Sequence, residues 1–212
     1  MIAKRFLDIV IAALVLVLAF PLLVICCSLI AINLGRPVIF KQIRMGRHGK
    51  DFWIYKLRTM NDLRDENGDL LPDYMRRTKF GDFLRMWSLD ELPQFMNVLL
   101  GEMSVVGPRP MMHKYLVNCN PEQLKRLEAL PGLTGLAQIR GRKGLDYEKR
   151  FALDVWYVHN YSFLLDVKII IRTIIALIRH EGSEETGREL CSRNHDGIAN
   201  HEESDMPIIR IV

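Results

Sequence analysis

The sequence predicts an α+β protein that is mainly helical, with an apolar membrane helix at its N-terminus and a small β-hairpin after it. Three observations support this prediction. Residues 9–32 carry no charged side chain, and a run of that length is typical of a membrane-inserted helix. Two short runs rich in β-branched and aromatic residues then flank a glycine-containing turn. In the rest of the chain, apolar residues recur at helical spacing.

The apolar segment is long enough to span a bilayer, because a straight helix of this length would measure about 36 Å. Pro21 lies near its middle, where the missing backbone N–H should bend the helix. Lys4 and Arg5 precede the segment and a basic block follows it, so the positive-inside rule favours the cytoplasmic face for both flanks. We therefore expect residues 1–35 to form a re-entrant helix broken at Pro21. The alternative is a proline-kinked helix that crosses the bilayer once.

The charge distribution indicates which partners to expect. Residues 33–64 contain eight basic and two acidic residues, whereas residues 181–212 contain three basic and eight acidic ones. A basic block next to an apolar segment favours anionic lipid or phosphate over nucleic acid as a partner. The four cysteines form no CxxC pair, which argues against a disulfide framework or a zinc site and is consistent with the cytosol.

The body of the chain, residues 36–180, is expected to form one cytosol-facing domain, followed by an acidic tail at 181–212. Strands are predicted at 38–44 and 52–60, with a turn at 45–50. Helical spacing then predicts a series of helices at residues 79–87, 92–100, 121–130, 145–158 and 164–179. Residues 131–142 are expected to form a glycine-rich loop. The helix at 164–179 is either buried in the core or lies flat in the membrane interface as an amphipathic helix.

An acidic pair, Asp90 and Glu91, is the most informative feature. Ser88 and Glu91 have the spacing of a capping box, and Pro93 is tolerated only in a first helical turn, so Asp90 is expected at a helix N-terminus. An ionised aspartate there needs no general base to attack phosphorus, and the helix terminus attracts phosphate oxygens. The repulsion between the two anions must be screened by Arg, Lys or a divalent metal, with Glu91 as metal partner. Plain helix capping is the alternative.

Several cations are candidate phosphate ligands. Arg109 stands between Pro108 and Pro110, which fix the backbone and aim the guanidinium. Three further candidates are Lys56 and Arg58, expected on one strand face, and Arg142 in the glycine-rich loop. Each could instead be solvated surface. Other candidate site residues are Arg85, before the acidic pair, and Asp154, an acid in mid-helix that needs a partner. Asp166 is expected to cap the last helix.

Five motifs occur together: KRFLD at 4–8, YKLRTM at 55–60, SLDELPQ at 88–94, NVLLGEMSVVGPRP at 97–110 and PGLTGLAQIRGR at 131–142. In this combination the chain resembles the bacterial sugar transferases, the monotopic phosphoglycosyl transferases, over residues 4–179. It is similar to the small PglC-type members. One departure is Phe20, where small members often have serine before the proline.

The resemblance implies transfer of a sugar 1-phosphate from a UDP-sugar to undecaprenyl phosphate, with release of UMP. It implies a phosphosugar carried covalently on Asp90, with Glu91 as its partner and Mg²⁺ as cofactor. Lys56, Arg109, Arg142 and Asp154 match the family's active-site positions, and Pro21 matches its re-entrant helix. The expected location is the cytoplasmic face of the bacterial inner membrane, as a monotopic protein.

The choice of sugar stays open at this point. The resemblance to small members favours an N-acetylated hexosamine or diacetylbacillosamine, and the alternative is UDP-glucose or UDP-galactose for exopolysaccharide. The partners expected are the UDP-sugar, undecaprenyl phosphate and membrane lipid, with a second copy or a downstream glycosyltransferase as further alternatives. A basic membrane adaptor without enzymatic activity and a polyprenyl phosphate hydrolase are the competing functions.

Overall fold

A computed structural model describes residues 2–117, 119–140 and 146–179; Arg142 and the acidic tail lie outside this range. The N-terminal helix α1 (Ile2–Asn33) contains Pro21 and is the described helix that is long and apolar enough to cross a membrane. Its helical geometry continues through Pro21, so the break expected there stays a prediction. Much of its apolar surface is exposed, including Val17, Leu18 and Phe20.

The predicted hairpin is confirmed. Strands β1 (Ile39–Met45) and β2 (Asp51–Leu57) pair antiparallel, from Ile39 opposite Leu57 to Met45 opposite Asp51. His48 and Gly49 adopt positive φ angles in the connecting turn. The second strand ends three residues earlier than predicted, because Met60 pairs instead with Arg77.

A 3₁₀ turn that precedes an α-helix holds the acidic pair, so Asp90 lies near a helix start, as expected, but before the α-helix itself. Helices α2 (Asp73–Arg76) and α3 (Lys79–Met86) follow the hairpin. Ser88 then adopts a left-handed conformation with φ 54° and its side chain caps nothing, so the predicted capping box is wrong. A 3₁₀ turn at Leu89–Glu91 leads into α4 (Gln94–Leu100). An N-cap residue normally has extended backbone angles, so the left-handed backbone of Ser88 accounts for the missing cap.

The two glycine motifs pair with each other. Strand β3 (Ser104–Val106) lies parallel to β4 (Gly132–Thr134). A Cβ atom on Gly132 would lie 2.1 Å from the backbone nitrogen of Gly107, so only glycine allows this approach. The loop predicted at 131–142 was therefore wrong in part, since it contains β4 and helix α6 (Leu136–Arg140). A three-residue strand is too short to show an alternating pattern.

Three helices complete the described chain. Asn120 and Gln123 form a capping box on α5 (Pro121–Leu124), which continues as a 3₁₀ turn at Lys125–Glu128. Helices α7 (Tyr147–Asn160) and α8 (Phe163–Ile178) agree with prediction to within two residues. The prediction that Asp166 caps α8 was wrong, because the Ser162 side chain accepts the hydrogen bond from the Leu165 N–H.

The KRFLD motif fastens the start of α1 to the domain. Lys4 Nζ lies 2.6 Å from Asp166 Oδ2 and 3.0 Å from the Val106 carbonyl. Arg5 donates to two carbonyls at the end of α4. Asp8, which is buried, accepts hydrogen bonds from the Ser104 hydroxyl and the Val105 N–H. The three ionisable residues of this motif are thus occupied in holding α1 against the body.

Two apolar clusters join α1 to β2. The first contains Ala12 of α1 and Ile54 of β2, together with residues of α4, β3, α7 and α8. The second contains Ile30 of α1, Leu57 of β2 and Leu84 of α3. Both halves of α1 therefore pack on the same body. Helix α8 buries one face against the core and exposes an apolar one. Its location in the membrane interface stays a prediction.

Candidate active site

Asp90 and Glu91 lie where the hairpin, the 3₁₀ turn and the loop after β3 meet. Asp90 is buried, with 8% of its surface exposed. Lys56 reaches both acids from β2: its Nζ is 2.7 Å from Glu91 Oε1 and 3.9 Å from Asp90 Oδ2. Arg109 Nη2 donates to the same Glu91 oxygen at 2.8 Å. The structure thus brings together four of the residues predicted from the sequence.

The two carboxyls have opposite electrostatic environments. Burial raises the pKa of Asp90 to about 6, and the neighbouring Glu91 carboxylate adds to the rise; Lys56, Arg85 and Arg109 oppose it. Burial acts in the same direction on Glu91, but Arg109 and Lys56 outweigh it and hold the pKa of Glu91 well below its usual range. Glu91 is therefore a fixed anion, and Asp90 is an ionised carboxylate at neutral pH that is only weakly stabilised. An anion of that kind is suited to nucleophilic attack.

Asp154 supports Arg109 through an intermediate residue. Arg126 Nη2 donates to Asp154 Oδ2 at 2.7 Å and to the Arg109 carbonyl at 2.9 Å. On the other side of the loop, the Pro108 carbonyl accepts from the Gly132 N–H at 2.9 Å. Arg126 was missed in the sequence. The position of Asp154 within a helix indicated that its carboxylate needs a partner, but the sequence did not show that Arg126 is that partner.

The remaining predicted cations have different surroundings. Arg85 donates twice to the Thr59 hydroxyl, at 2.8 and 3.0 Å, and acts on Asp90 through its charge. Arg58 is buried and bonds to the carbonyls of Met60 and Arg36 and to the Asp62 carboxylate. Arg58 therefore orders the chain after β2, whereas Lys56 points to the acids. Arg142 lies outside the described residues.

Arg44 on β1 is a second residue that the sequence analysis missed. Its pKa is lowered, first by burial and then by the positive charge of Arg109. Its Nη2 donates to Gln42 at 2.6 Å, but its buried Nε has no acceptor among the described residues. Two neighbouring guanidinium groups repel each other, so this arrangement favours an anion between or beside them. The surrounding alternation of apolar and polar residues gave no signal that singled out Arg44.

The acidic pair fits the way in which Mg²⁺ is usually bound at phosphate-transfer sites. Among the described residues, no group of three or more His, Cys, Asp or Glu side chains could form a cage for a metal. Mg²⁺ commonly needs only one or two carboxylates, completed by substrate phosphates and water. The mutual repulsion that raises the pKa of Asp90 is what a divalent cation beside Asp90 and Glu91 would relieve.

The fold and the site describe a class of protein: an apolar N-terminal helix is fastened to a domain in which an acidic pair lies beside several cations. Such an arrangement is suited to group transfer at phosphate. Comparison with known proteins agrees. The model of the bacterial sugar transferase family matches residues 1–180. The chain belongs to the bacterial sugar transferase family, and the expectation of a phosphoglycosyl transferase is confirmed at that level.

Three relatives illustrate the similarity. The uncharacterized sugar transferase EpsL of Bacillus subtilis is 46% identical, over 91% of this chain and 96% of its own length. A UDP-glucose:undecaprenyl-phosphate glucose-1-phosphate transferase of Caulobacter vibrioides is 41% identical, over 82% of this chain and 69% of its own. An undecaprenyl-phosphate galactose phosphotransferase of Salmonella typhimurium is 38% identical over 85% of this chain. The match covers only 41% of the Salmonella protein.

Proposed function

We propose that this chain transfers a hexose 1-phosphate from a UDP-hexose to undecaprenyl phosphate, releasing UMP and forming undecaprenyl-diphospho-hexose. The observation that carries the proposal is the arrangement around Asp90: a buried carboxylate with a raised pKa, beside a Glu91 anion neutralised by Lys56 and Arg109. The relatives' names add the substrate classes.

The reaction proceeds in two displacements. In the first, a carboxylate oxygen of Asp90 attacks the phosphorus that bears the sugar; the bond to the bridging oxygen breaks and UMP leaves with its electron pair. In the second, a phosphate oxygen of the acceptor lipid attacks the same phosphorus, and Asp90 leaves as a carboxylate. No proton transfer to or from Asp90 is required in either step. Mg²⁺ held by Asp90, Glu91 and the diphosphate would supply charge neutralisation on the phosphate oxygens.

The cations around the acids position the donor. Lys56 reaches both acids and Arg109 contacts Glu91, so a diphosphate bound here would displace part of their hold on Glu91. Arg44, whose guanidinium is incompletely paired, adds positive charge beside Arg109. Such fixed donors stabilise the charge that develops on the leaving UMP without reorganising during the reaction.

The names of the relatives favour one of the two sugar classes considered. Glucose and galactose 1-phosphate transferases occur among them, and exopolysaccharide production proteins of Rhizobium meliloti and Sinorhizobium fredii are 37% identical to this chain. We therefore propose UDP-glucose or UDP-galactose as donor, in place of the N-acetylated sugar or diacetylbacillosamine expected from the small members.

We also propose that α1 is re-entrant and that the domain lies on the cytoplasmic face. Lys4 and Ile30 are separated by about 39 Å along a straight helix, more than the roughly 30 Å of a bilayer's hydrocarbon core. Both nevertheless contact the same domain, Lys4 through Asp166 and Ile30 through Leu57 and Leu84. A helix crossing the bilayer once would place these two residues on opposite faces, so their shared contacts support a helix that returns.

UMP release tests the proposal. Protein purified in detergent is incubated with Mg²⁺ and undecaprenyl phosphate, and the donors are UDP-glucose, UDP-galactose, their N-acetylated forms and UDP-diacetylbacillosamine. With one hexose donor we expect repeated turnovers of UMP release that require the lipid. We expect no UMP release from Asp90→Asn and wild-type rates from the exposed control Asp73→Asn. Folded protein that releases no UMP with any donor but binds anionic vesicles would favour the adaptor. Phosphate released from the lipid without donor would indicate a hydrolase.

A further inference from the structure

A groove between α6 and α8 lies outside the site described above. Its volume is about 620 Å³, and its lining is mostly apolar, with Leu136 and Ile139 from α6 and Leu165 and Ile175 from α8. Three cations also line it: Arg140, Lys168 and Arg172. In the part of the chain that the structure describes, none of these three forms an ion pair.

The position of this groove links the catalytic loop to the membrane helix. Helix α6 starts directly after Gly135, where a Cβ atom would lie 2.2 Å from the Gly107 carbonyl oxygen. The loop that carries Arg109 therefore fixes one wall. The other wall, α8, is held in its first turn to α1 by the 2.6 Å contact between Lys4 and Asp166. A lipid lying in the groove would thus have the membrane helix at one side and the catalytic loop at the other.

The charge in the groove indicates the kind of ligand. Lys168 and Arg172 are one helical turn apart on α8, and like charges at this spacing repel. No acid of the described chain compensates them, and Arg140 adds a third positive charge across the groove. An apolar floor with unpaired cations fits a lipid with an anionic head. Three cations match a phosphate monoester, which carries close to two negative charges at neutral pH, better than the single charge of a phospholipid diester.

We propose that the groove between α6 and α8 is the docking site from which the polyprenyl phosphate acceptor enters the reaction. Its isoprenoid chain lies on the apolar lining, and its phosphate is first held between Arg140, Lys168 and Arg172 before it moves to Asp90. This inference rests on the proposed function, since it assigns that reaction's second substrate to a place. It predicts that removing cations from the groove weakens acceptor binding and leaves the donor side of the reaction unchanged.

The test uses the full chain in nanodiscs of phosphatidylcholine with undecaprenyl phosphate as the titrated probe. In Lys168→Gln/Arg172→Gln we expect the KM for undecaprenyl phosphate to rise about thirtyfold, from the typical contribution of two basic residues at an anionic lipid surface. The KM for the UDP-sugar and the amount of phosphosugar bound to the enzyme without acceptor should not change. The control Lys50→Gln/Lys149→Gln removes the same charge from exposed positions outside the groove and should keep both KM values.

Three outcomes would overturn the assignment. The first is an unchanged KM for the lipid, and the second is an equal rise in both KM values. The third is that phosphatidylglycerol in the nanodiscs raises the wild-type KM as much as the double variant does, which would assign the cations to bulk anionic lipid.

Lipid binding to the groove can be measured independently of catalysis. Ile175→Cys, in a chain with its four native cysteines replaced by serine, is labelled with a maleimide. We expect undecaprenyl phosphate to slow labelling in phosphatidylcholine nanodiscs, even if no donor is turned over. The proposal would be overturned if undecaprenyl phosphate did not change the labelling rate and removal of residues 181–212 increased it. That result would assign the groove to the acidic tail.

Discussion

The adjacent carboxyls Asp90 and Glu91 differ because they have different neighbours, although both lie in one 3₁₀ turn. Glu91 receives two charge-assisted hydrogen bonds, from Lys56 and Arg109, on a single oxygen. Asp90 has Lys56 only at 3.9 Å and is otherwise buried, so its charge is poorly compensated. Lys56 and Arg109 thus neutralise Glu91 and leave the charge of Asp90 poorly compensated. Asp90 is then suited to act as a nucleophile beside these two cations.

The pH dependence of enzyme loading follows from this difference. Asp90 must be ionised to attack, and its pKa is raised to about 6. Mg²⁺ beside the two acids would lower this pKa. We therefore expect the rate of UMP release to be constant above about pH 6 and to fall about tenfold per unit at lower pH, with the fall beginning at a lower pH as the Mg²⁺ concentration is raised. Rapid-quench measurement of the first turnover, without acceptor lipid, would test this. A rate that stays constant down to pH 4.5 at every Mg²⁺ concentration would contradict the raised pKa.

The same carboxyl should lower the stability of the folded protein. Its pKa is 3.8 in an unfolded chain and about 6 in the folded one, so the folded state loses stability as the pH rises from about 4 to 6. This loss is complete above pH 6 and amounts to about 2–3 kcal/mol. We expect Asp90→Asn to melt several degrees higher than wild type at pH 8, with little difference at pH 4. Scanning fluorimetry in detergent measures this.

Asp73→Asn is the control for that measurement, because Asp73 is exposed and pairs only loosely with Arg76, at 3.6 Å. It should melt like wild type at pH 8. If Asp90→Asn and Asp73→Asn shift the melting temperature equally, the gain would reflect overall charge and not the burial of Asp90.

The buried pair of Arg126 and Asp154 supports the site from behind. Both side chains are almost fully buried, so removing one partner leaves an uncompensated charge. We expect Arg126→Met to lower the free energy of unfolding by about 3–5 kcal/mol. The double variant Arg126→Met/Asp154→Leu should recover part of that loss, because the orphaned carboxylate is then absent. Urea denaturation of the two variants tests this, and equal losses would contradict it.

At the scale of elements, the pairing of β3 with β4 brings the GPRP and PGLTG motifs together. Gly132→Ala would place a methyl group 2.1 Å from the Gly107 nitrogen, so the strands would separate and the loop carrying Arg109 would move. We expect loss of both stability and UMP release. In the control, Gly68→Ala, the methyl group meets nothing within 4 Å, but φ is +87°, which costs about 1 kcal/mol. Melting curves and UMP release compare the two, and an active Gly132→Ala would contradict the argument.

Elements of seven residues or more could be predicted from the sequence, since they are long enough to show a hydrophobic period. The hairpin, α3, α4, α7 and α8 agree with their patterns to within a few residues. Features set by contacts distant in sequence could not be. Ser88 and Glu91 have the spacing of a capping box, but Ser88 adopts a left-handed conformation and caps nothing. Strand β4 has only three residues, too few to show alternating apolar and polar side chains. At the site, Lys56, Asp90, Glu91 and Arg109 were predicted from residue type and motif, whereas Arg126 and Arg44 depend on which strands and helices become neighbours.

At the scale of the whole molecule, α1 is the described helix with the length and apolar surface to enter a membrane. Polar contacts of Lys4, Arg5 and Asp8 hold the start of α1 to the domain. Apolar contacts of Cys26 and Ile30 hold its other half. The segment between them leaves Val17, Leu18 and Phe20 exposed. An exposed apolar middle between two fastened ends fits a helix that dips into one leaflet around Pro21.

Cysteine labelling in cells decides between this arrangement and a single span. The four native cysteines are replaced by serine, and single cysteines are introduced at Ile2→Cys and Lys50→Cys, on either side of the apolar segment. For a re-entrant α1 we expect both positions to resist a membrane-impermeant maleimide in intact cells and to react after permeabilisation. A helix that spans the bilayer would expose one position and shield the other. Pro21→Ala extends the test. Restoring the missing backbone N–H favours a straight helix that spans the bilayer, so one of the two labelled positions should become reactive in intact cells.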